Sequence, residues 1–259
     1  MNAETPQAAE LNLPQAFLLL ATNDQDGKPE VPMFALRTTL AGAILAELEL
    51  IGAIRLEGKH VRATGAAPPT DLQHELELIR GKSRPHTPKR WVSMLEGRAE
   101  TQRVYEGMAA RGIVEHVGEK HLGLFKSTRY PEKDHGPEAA LLKKIQAALG
   151  GPTAAADASP AAAAAEEVTS DTEAHAAAAT DPGAPAAGPP APATPDAEAP
   201  DARTTALIAL LQAAGLLSKL VPAADKIRAS ELSKDYWPSR AVEDELRMIR
   251  LAEEEEPGI

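Results

Sequence analysis

The chain has 259 residues, no cysteine, 3% aromatic residues and a formal net charge of −11. The lack of cysteine excludes disulfide bonds, thiolate metal sites and cysteine nucleophiles, and it is typical of a reducing compartment. The first ten residues are polar and unlike a secretory leader, and no apolar run reaches the about 20 residues of a membrane span. We therefore expect a cytoplasmic protein with a core of leucine, isoleucine, valine and alanine.

Charge is distributed unevenly along the chain. Residues 1–150 carry 19 basic and 19 acidic residues, residues 151–200 carry 8 acids and no base, and residues 201–259 carry 8 bases and 11 acids. The middle segment is also rich in alanine and proline and contains no aromatic residue. Such a composition buries too little apolar surface to offset the entropy of ordering, so 151–200 is predicted to be a disordered linker.

The remaining segments predict one helical domain in two pieces. Residues 11–150 and 201–252 contain the helical apolar patterns and are expected to fold together. Residues 1–10 are predicted to be a disordered N-terminus, and residues 253–259 an acidic tail.

In chain order, the first predicted helix begins at Asn12, a residue that caps helix N-termini well. Val31–Leu36 is predicted to be a strand or an irregular segment. Leu40–Ile51 follows and is apolar on nearly all sides, and a helix of this kind is normally buried among other helices. Its two charged residues, Glu47 and Glu49, are expected where one side reaches the surface. The predicted fold is mainly α, built around this central helix.

Two small β-hairpins are predicted beside the helices. Ala53–Thr64 alternates apolar and polar residues on both sides of a turn at Gly58. Ile113–Phe125 is predicted to be a second hairpin that turns at Gly118–Lys120. Its apolar residues are Ile113, Val114, Leu122, Leu124 and Phe125.

The second hairpin leaves a nucleic-acid-binding alternative open. A helix at 102–111 followed by a hairpin resembles half of a winged helix, a motif that binds nucleic acid. The predicted helix, which extends back to Glu100, carries the acids Glu100 and Glu106, and the chain as a whole is acidic. Both features oppose binding to a phosphate backbone, so we expect no nucleic-acid partner.

The one dense basic cluster is Arg80–Arg90, which contains five basic residues, no acid, and is followed by Trp91. A basic loop beside an aromatic side chain suits an anionic lipid surface, whereas the alternative is a solvated loop with Trp91 in the core. An arginine on the next helix could add a bidentate phosphate contact. The candidate head-group residues are Arg37, Arg84, Lys89, Arg90, Trp91 and Arg98.

Sequence motifs for catalysis are missing. His74 and Glu75 begin like a zinc-binding HExxH helix, but Leu78 stands where the second histidine is required. There is no glycine-rich phosphate loop and no nucleophile elbow. We therefore expect a protein that is not an enzyme and that needs no metal or cofactor.

Several segments, in order, resemble the Golgi phosphoprotein 3 (GPP34) family in its bacterial form. The chain between 11 and 150 and between 201 and 250 carries the resemblance, with the alanine- and proline-rich segment as an insert. The matching segments are Leu11–Leu20 (LNLPQAFLLL), Leu40–Leu50 (LAGAILAELEL), Pro69–Asp71 (PTD), Trp91–Val92, Arg111–Val114 (RGIV), Leu124–Phe125, Thr128–Pro131 (TRYP) and Asp201–Leu211 (DARTTALIALL).

The resemblance implies a mostly helical domain around a hydrophobic helix, with hairpins at its edge. Eukaryotic members of the family are peripheral Golgi proteins that bind phosphatidylinositol 4-phosphate and the cytoplasmic tails of glycosyltransferases. The hairpin that corresponds to Ile113–Phe125 mediates their self-association. The resemblance thus implies a peripheral, non-enzymatic adaptor that binds phosphoinositide or other anionic head groups, with unknown protein partners and possible homo-oligomers. The alternative is a protein-interaction scaffold that binds no lipid.

The head-group pocket of the eukaryotic members can be carried over position by position. It uses a tryptophan, an arginine at the start of the central helix and two arginines three residues apart on a later helix. These positions fall near Pro32, on Ala41, on Arg98 and on Thr101. One of the four, Arg98, is retained.

Overall fold

The computed structural model describes residues 10–65, 67–121, 125–150 and 200–255, and for residues 119–121, 125–127 and 255 it describes the backbone alone. Within these residues the chain is mainly α, as predicted, with two antiparallel strand pairs. The elements are α1 (Leu13–Leu20), α2 (Met33–Leu50), β1 (Ile54–Glu57), β2 (His60–Ala63), α3 (Gln73–Arg80), α4 (Pro88–Leu95), α5 (Arg98–Ala110), β3 (Val117–His121), β4 (Phe125–Arg129), α6 (Gly136–Ala148), α7 (Ala202–Ala213), α8 (Leu217–Leu220), α9 (Lys226–Ser233) and α10 (Trp237–Glu255).

Helix α2 is the centre of the core, and the prediction of a buried central helix is confirmed. Thirteen of its 18 residues are buried, because it packs against α1, α4, α7 and α10. The helix begins at Met33, so the prediction of a strand or irregular segment at Val31–Leu36 was wrong. Pro32, in an extended conformation, precedes the first turn. The apolar run after it suits a helix as well as a strand, and helical neighbours on all sides favour the helix.

Small residues in α2 allow α10 to approach closely. A Cβ atom built on Gly42 would lie 2.2 Å from Cγ2 of Val242 and 3.3 Å from Cδ2 of Leu210. Val242 is a branched side chain of α10 and is fully buried, so it has little freedom to move away. The glycine is therefore a packing requirement of the α2–α10 contact.

Glu47 of α2 is buried, which corrects the prediction that it reaches the surface. Its Oε2 accepts a hydrogen bond from the backbone N–H of Leu13 at 2.9 Å, and its Oε1 accepts one from Nη2 of Arg203 at 3.0 Å. Nη1 of Arg203 donates to the carbonyl of Leu11 at 3.2 Å. One carboxylate thus joins α2 to the start of α1 and to α7. Its neighbour Glu49 is half-buried and accepts a hydrogen bond from the indole of Trp237.

The first predicted hairpin is confirmed. Strands β1 and β2 pair antiparallel, with Leu56 opposite Val61 and Glu57 opposite His60. Val61 faces the core, whereas its neighbour Arg62 points outward. The backbone N–H of Val61 also donates to the carbonyl of His86 at 2.9 Å, which fixes the loop that precedes α4 against β2.

The second hairpin lies further along the chain than predicted. Strands β3 and β4 pair Val117 with Arg129 and His121 with Phe125, so residues 118–120 belong to β3 rather than to a turn. Gly112, with φ of +74°, ends α5 and turns the chain inward. Consequently Ile113 and Val114 are buried in the protein's own core instead of lying in the hairpin.

The self-association prediction is therefore corrected for two of its five residues. Ile113 and Val114 are 5% and 3% exposed and offer no surface to a second copy. Leu122 and Leu124 lie outside the described residues, as does the side chain of Phe125.

Two further predictions concern segments at or beyond the limits of the structure. The predicted N-terminal and linker segments, 1–10 and 151–200, lie outside the described residues except for Glu10 and Pro200, and the acidic tail is described only to residue 255.

No helix in the described ranges combines the length and the apolar character that crossing a bilayer requires.

The α2–α10 contact predicts that Gly42→Ala destabilises the protein. Overpacking costs about 1–3 kcal/mol, which exceeds the gain of up to about 1 kcal/mol in helix propensity when alanine replaces glycine. Urea unfolding should therefore show a lower midpoint for Gly42→Ala. Adding Val242→Ala removes the clashing methyl group, so the double variant should lose less stability than the sum of the single losses.

Gly107→Ala in α5 is the matched control. A Cβ atom at Gly107 would lie 3.7 Å from Nε2 of Gln15, an ordinary van der Waals distance. This substitution should leave stability unchanged or raise it by up to about 1 kcal/mol. Equal effects of the two alanine substitutions would contradict the packing role of Gly42.

The Glu47 contacts predict a large loss of stability in Glu47→Ala. The variant leaves Arg203 and the Leu13 N–H without their acceptor, and removing one partner of a buried pair costs about 3–5 kcal/mol. Glu243→Ala, at an exposed position of α10, is the control and should change the unfolding free energy by less than about 0.5 kcal/mol. An unfolding free energy of Glu47→Ala within that same range would show that the contact does not stabilise the domain.

Candidate functional site

A basic cleft of about 430 Å³ lies between β2, the end of α3 and the loop that leads to α4. Val61, Ile79 and Trp91 contribute its apolar lining, and Arg62, Arg80 and Lys82 contribute its charges. The lining contains no acidic residue. The cleft therefore combines an apolar wall with three cations, an arrangement suited to an anionic group attached to an apolar body.

The local sequence explains why these cations lie together. Arg80 ends α3, where a positive charge is favoured by the helix dipole. Gly81 then ends the helix, and Lys82 follows in the exposed loop. Arg62 lies on the outward face of β2, directly opposite Arg55 of β1. The like charges of this pair are offset by Glu57, which lies 2.9 Å from Nε of Arg62.

Arg80 and Lys82 differ from Arg62 in their pairing. Within the described part of the chain, neither forms an ion pair or a side-chain hydrogen bond, and both residues are exposed. By comparison, Arg103 lies 2.7 Å from Glu75, and Arg203 lies 3.0 Å from Glu47. The rim of the cleft thus offers two cations whose charge no described acid neutralises.

Trp91 belongs to the cleft wall but is mainly a core residue. It is 1% exposed, and its ring meets that of His86 edge to face with a centroid distance of 5.5 Å. Its indole N–H has no hydrogen-bond acceptor among the described residues. This burial agrees with the alternative prediction that Trp91 lies in the core. Trp91 also lines the basic cleft.

The other predicted site residues do not converge on this cleft. Arg84 and Arg90 are exposed near it but do not line it, and Lys89 faces Glu245 of α10 at 3.8 Å. Arg37 is half-buried on α2, and its Nε has no described acceptor. Arg98 is exposed at the start of α5. Sequence reasoning missed Arg62, although its outward position on the predicted hairpin was a usable signal.

The positions carried over from the eukaryotic pocket do not form a basic site. Ala41 and Thr101 are buried, and Arg98 is the one cation among the four positions. Glu96 lies two residues before Arg98, and its carboxylate accepts a hydrogen bond from Thr38 at 2.7 Å. Burial raises the pKa of Glu96, and the charge of Glu245 raises it further.

A larger cavity of about 580 Å³ lies between α1, α6 and α7 and has a different character. Leu11, Ile113, Leu141 and Leu207 give it an apolar lining. Its charged residues are partly neutralised within the protein, since Lys144 lies 3.3 Å from Glu10 and Arg203 pairs with Glu47. This groove is suited to an apolar segment rather than to a phosphate.

The strongest electrostatic perturbation in the described residues lies elsewhere. Burial, together with the facing carboxyl groups of Asp24 and Glu132, raises the pKa of Glu138 to about 8. No residue of this acidic cluster lines the basic cleft. The two sites are thus distinct in sign and in composition.

Comparison with known proteins identifies a family for this chain. No curated protein matches the chain. The family model described as Golgi phosphoprotein 3 (GPP34) matches residues 13–249, which include α1, α2, the basic cleft and most of α10. The chain therefore belongs to the Golgi phosphoprotein 3 (GPP34) family.

Proposed function

We propose that this protein is a peripheral, non-enzymatic adaptor that binds anionic phospholipid head groups through the basic cleft. The observation that supports the proposal is the pair Arg80 and Lys82, two exposed cations at the rim of a concave site with no acid in its lining. Membership of the Golgi phosphoprotein 3 family supports the same class of function.

The cleft offers two kinds of contact to a head group. The guanidinium groups of Arg62 and Arg80 can bind phosphate oxygens in a bidentate manner, whereas the ammonium group of Lys82 acts as a compact charge. Arg84 and Arg90, exposed nearby, extend the positive surface toward a membrane plane. The phosphate of a lipid would thus sit at the rim, with its glycerol part toward the apolar wall.

Electrostatics makes this binding weak and dependent on salt. Each cation near an anionic membrane contributes about 1 kcal/mol, and screening acts over about 8 Å at physiological ionic strength. The net charge of −11 opposes approach to the same membrane. We therefore expect the protein to bind with the basic cleft facing the lipid and to leave the membrane at high salt.

The proposed ligand is an anionic phospholipid in general rather than one phosphoinositide. The eukaryotic pocket owes its recognition of a single head group to three arginines and a tryptophan, and this chain retains one of those four. The cleft has a different position and a different set of side chains. Its residues support recognition of a head group by charge density rather than by chemical identity.

Vesicle flotation tests the proposal. The full chain should be recovered with phosphatidylglycerol vesicles and not with phosphatidylcholine vesicles. Arg80→Glu/Lys82→Glu should lower the partition coefficient at least roughly 30-fold, since losing two cations removes about 2 kcal/mol. Vesicles that carry phosphatidylinositol 4-phosphate at matched total charge should recover the protein about equally.

The control is Lys143→Glu/Arg250→Glu, which makes the same change in net charge. Lys143 on α6 and Arg250 on α10 are exposed, and neither pairs with a described acid. This variant should retain more binding than the cleft variant. Equal recovery on neutral and anionic vesicles would contradict lipid binding, and equal losses in the two variants would contradict the cleft as its site.

The second candidate function is a scaffold that binds a protein segment and no lipid. The apolar groove between α1, α6 and α7 favours it, because that groove is the larger cavity. Ala140→Glu places a charge at a groove-lining position of α6 that is exposed, and Ala139→Glu is its exposed neighbour outside the lining. If the scaffold is correct, pulldown from cell extract should lose bound proteins with Ala140→Glu but not with Ala139→Glu. Identical sets of bound proteins for the two variants would contradict a role for the groove.

A further inference from the structure

Three carboxyl groups and one imidazole meet where three parts of the chain come together. Asp24 lies in the turn after α1, Glu132 and His135 lie in the loop before α6, and Glu138 lies in the first turn of α6. Ligand atoms of Asp24, Glu132 and His135 all lie within 4.8 Å of one another. Glu138 adjoins this group, and burial together with the carboxyl groups of Asp24 and Glu132 raises its pKa.

The backbone holds these groups in place. The N–H of Glu132 donates to the carbonyl of Asp24 at 3.0 Å, and the N–H of Tyr130 donates to the carbonyl of Gly27 at 3.4 Å. Gly27 has φ of +66°, and a Cβ atom there would lie 2.5 Å from the backbone nitrogens of Tyr130 and Pro131. The turn and the loop therefore touch backbone to backbone, and the acids cannot separate without breaking that contact.

The acids of this cluster lack the arginine partners that other buried acids have. Glu47 accepts hydrogen bonds from Arg203 and from a backbone N–H, and Glu75 forms an ion pair with Arg103 at 2.7 Å. Among the described residues, no lysine or arginine pairs with Asp24, Glu132 or Glu138. The N-terminus of α6 offsets a part of the charge, but a helix end supplies about half a unit against the carboxylates of Asp24 and Glu132.

Glu132 provides an independent sign of a missing partner. Its side chain is 3% exposed, its Oε2 contacts Nδ1 of His135, and its Oε1 is buried without any hydrogen-bond donor among the described residues. Its carboxylate is one of the three groups whose ligand atoms lie within 4.8 Å of one another. An unpaired oxygen in a buried carboxylate is costly, and a positively charged ligand would satisfy it.

We propose that Asp24, Glu132 and His135 bind one divalent cation, with Glu138 beside the site. Carboxylate oxygens with a single imidazole nitrogen favour Mn²⁺ or Zn²⁺ over Mg²⁺, which keeps several waters, and over Ca²⁺, which takes oxygen ligands. Metal-bound atoms at about 2.1 Å from an ion lie at most about 4.2 Å apart. The ligand atoms all lie within 4.8 Å of one another, so binding requires a contraction of less than an ångström, which the exposed side chains of Asp24 and His135 permit.

A neighbouring cavity gives an ion access to the cluster. This cavity of about 410 Å³ is lined by Asp24 and Glu138 and also by Glu30. Glu30 is already paired with Lys219 at 3.1 Å and with Asn23 at 2.9 Å, so it is not a candidate ligand. The bound cation would fasten the turn after α1 to the start of α6, independently of any lipid at the basic cleft.

Titration of the full chain with Mn²⁺, followed by the EPR signal of the free ion, tests the site. We expect saturable binding of one ion per chain. Asp24→Asn/His135→Ala removes two ligands from exposed positions and should weaken binding roughly 100-fold or more, since even outer-shell partners of a metal contribute 10–100-fold. Glu138→Gln, which keeps the side-chain shape, should also weaken it. Circular dichroism checks that the variants remain folded.

Asp244→Asn/His60→Ala is the matched control, because it removes the same two side-chain types from exposed positions outside the cluster. Its affinity should equal that of the unsubstituted protein. Mn²⁺ at about 100 times its dissociation constant should also raise the melting temperature of the unsubstituted protein by roughly 5–10 °C, and not that of Asp24→Asn/His135→Ala. Absence of saturable binding up to about 1 mM, or equal affinity of the cluster and control variants, would overturn the proposal.

Discussion

The carboxylate of Glu47 is the contact on which the arrangement of the helices depends. It lies on the central helix α2, and it is satisfied by a backbone N–H of α1 and by the guanidinium group of Arg203, which is 156 residues distant in sequence. A buried charge is tolerated only when its lone pairs are filled, so α1 and α7 must both be in place for α2 to bury this residue. The contact thus connects the part of the chain that precedes the alanine- and proline-rich segment with the part that follows it.

Charge elsewhere in the protein divides into balanced and unbalanced groups. Acids near the core have partners, as Glu75 has Arg103 and Glu49 has Trp237. Arg80 and Lys82 of the basic cleft have no such partner among the described residues. In the same residues no lysine or arginine pairs with Asp24 or Glu132, although His135 contacts Glu132. We propose that a ligand of opposite charge completes each of these two groups. The two proposed ligands accordingly have opposite charges and share no residue.

Local patterns made much of the fold predictable. The cap at Asn12 accepts a hydrogen bond from the N–H of Gln15, and Leu40–Ile51 is helical because its apolar residues have the helical period. The start of α2 was not predictable, since a short apolar run after Pro32 suits a strand equally well. The second hairpin was misplaced by a few residues because Gly112 turns the chain inward, which period-two alternation cannot indicate.

The candidate sites depend more strongly on contacts between distant residues. The basic stretch at 80–90 was visible in the sequence, but which of its cations line a cleft depends on β2, and Arg62 entered through that packing. The burial of Glu47 depends on Arg203, and the acidic cluster depends on a turn and a loop that meet only in the folded chain. A single sequence shows the periodicity and composition of each segment. It does not show which distant segments pack together, and these sites arise from such packing.

Packing around α2 also explains why a head-group site would lie away from the position used by the eukaryotic members. Ala41 is completely buried, and its neighbour Gly42 has no room even for a methyl group against Val242. An arginine at position 41 would have to bury its charge, which costs several kcal/mol. A phosphate-binding arginine at that position is therefore incompatible with the packing of this core. Cations at the end of α3 and on β2 lie outside the α2–α10 contact, so they can change without disturbing the core.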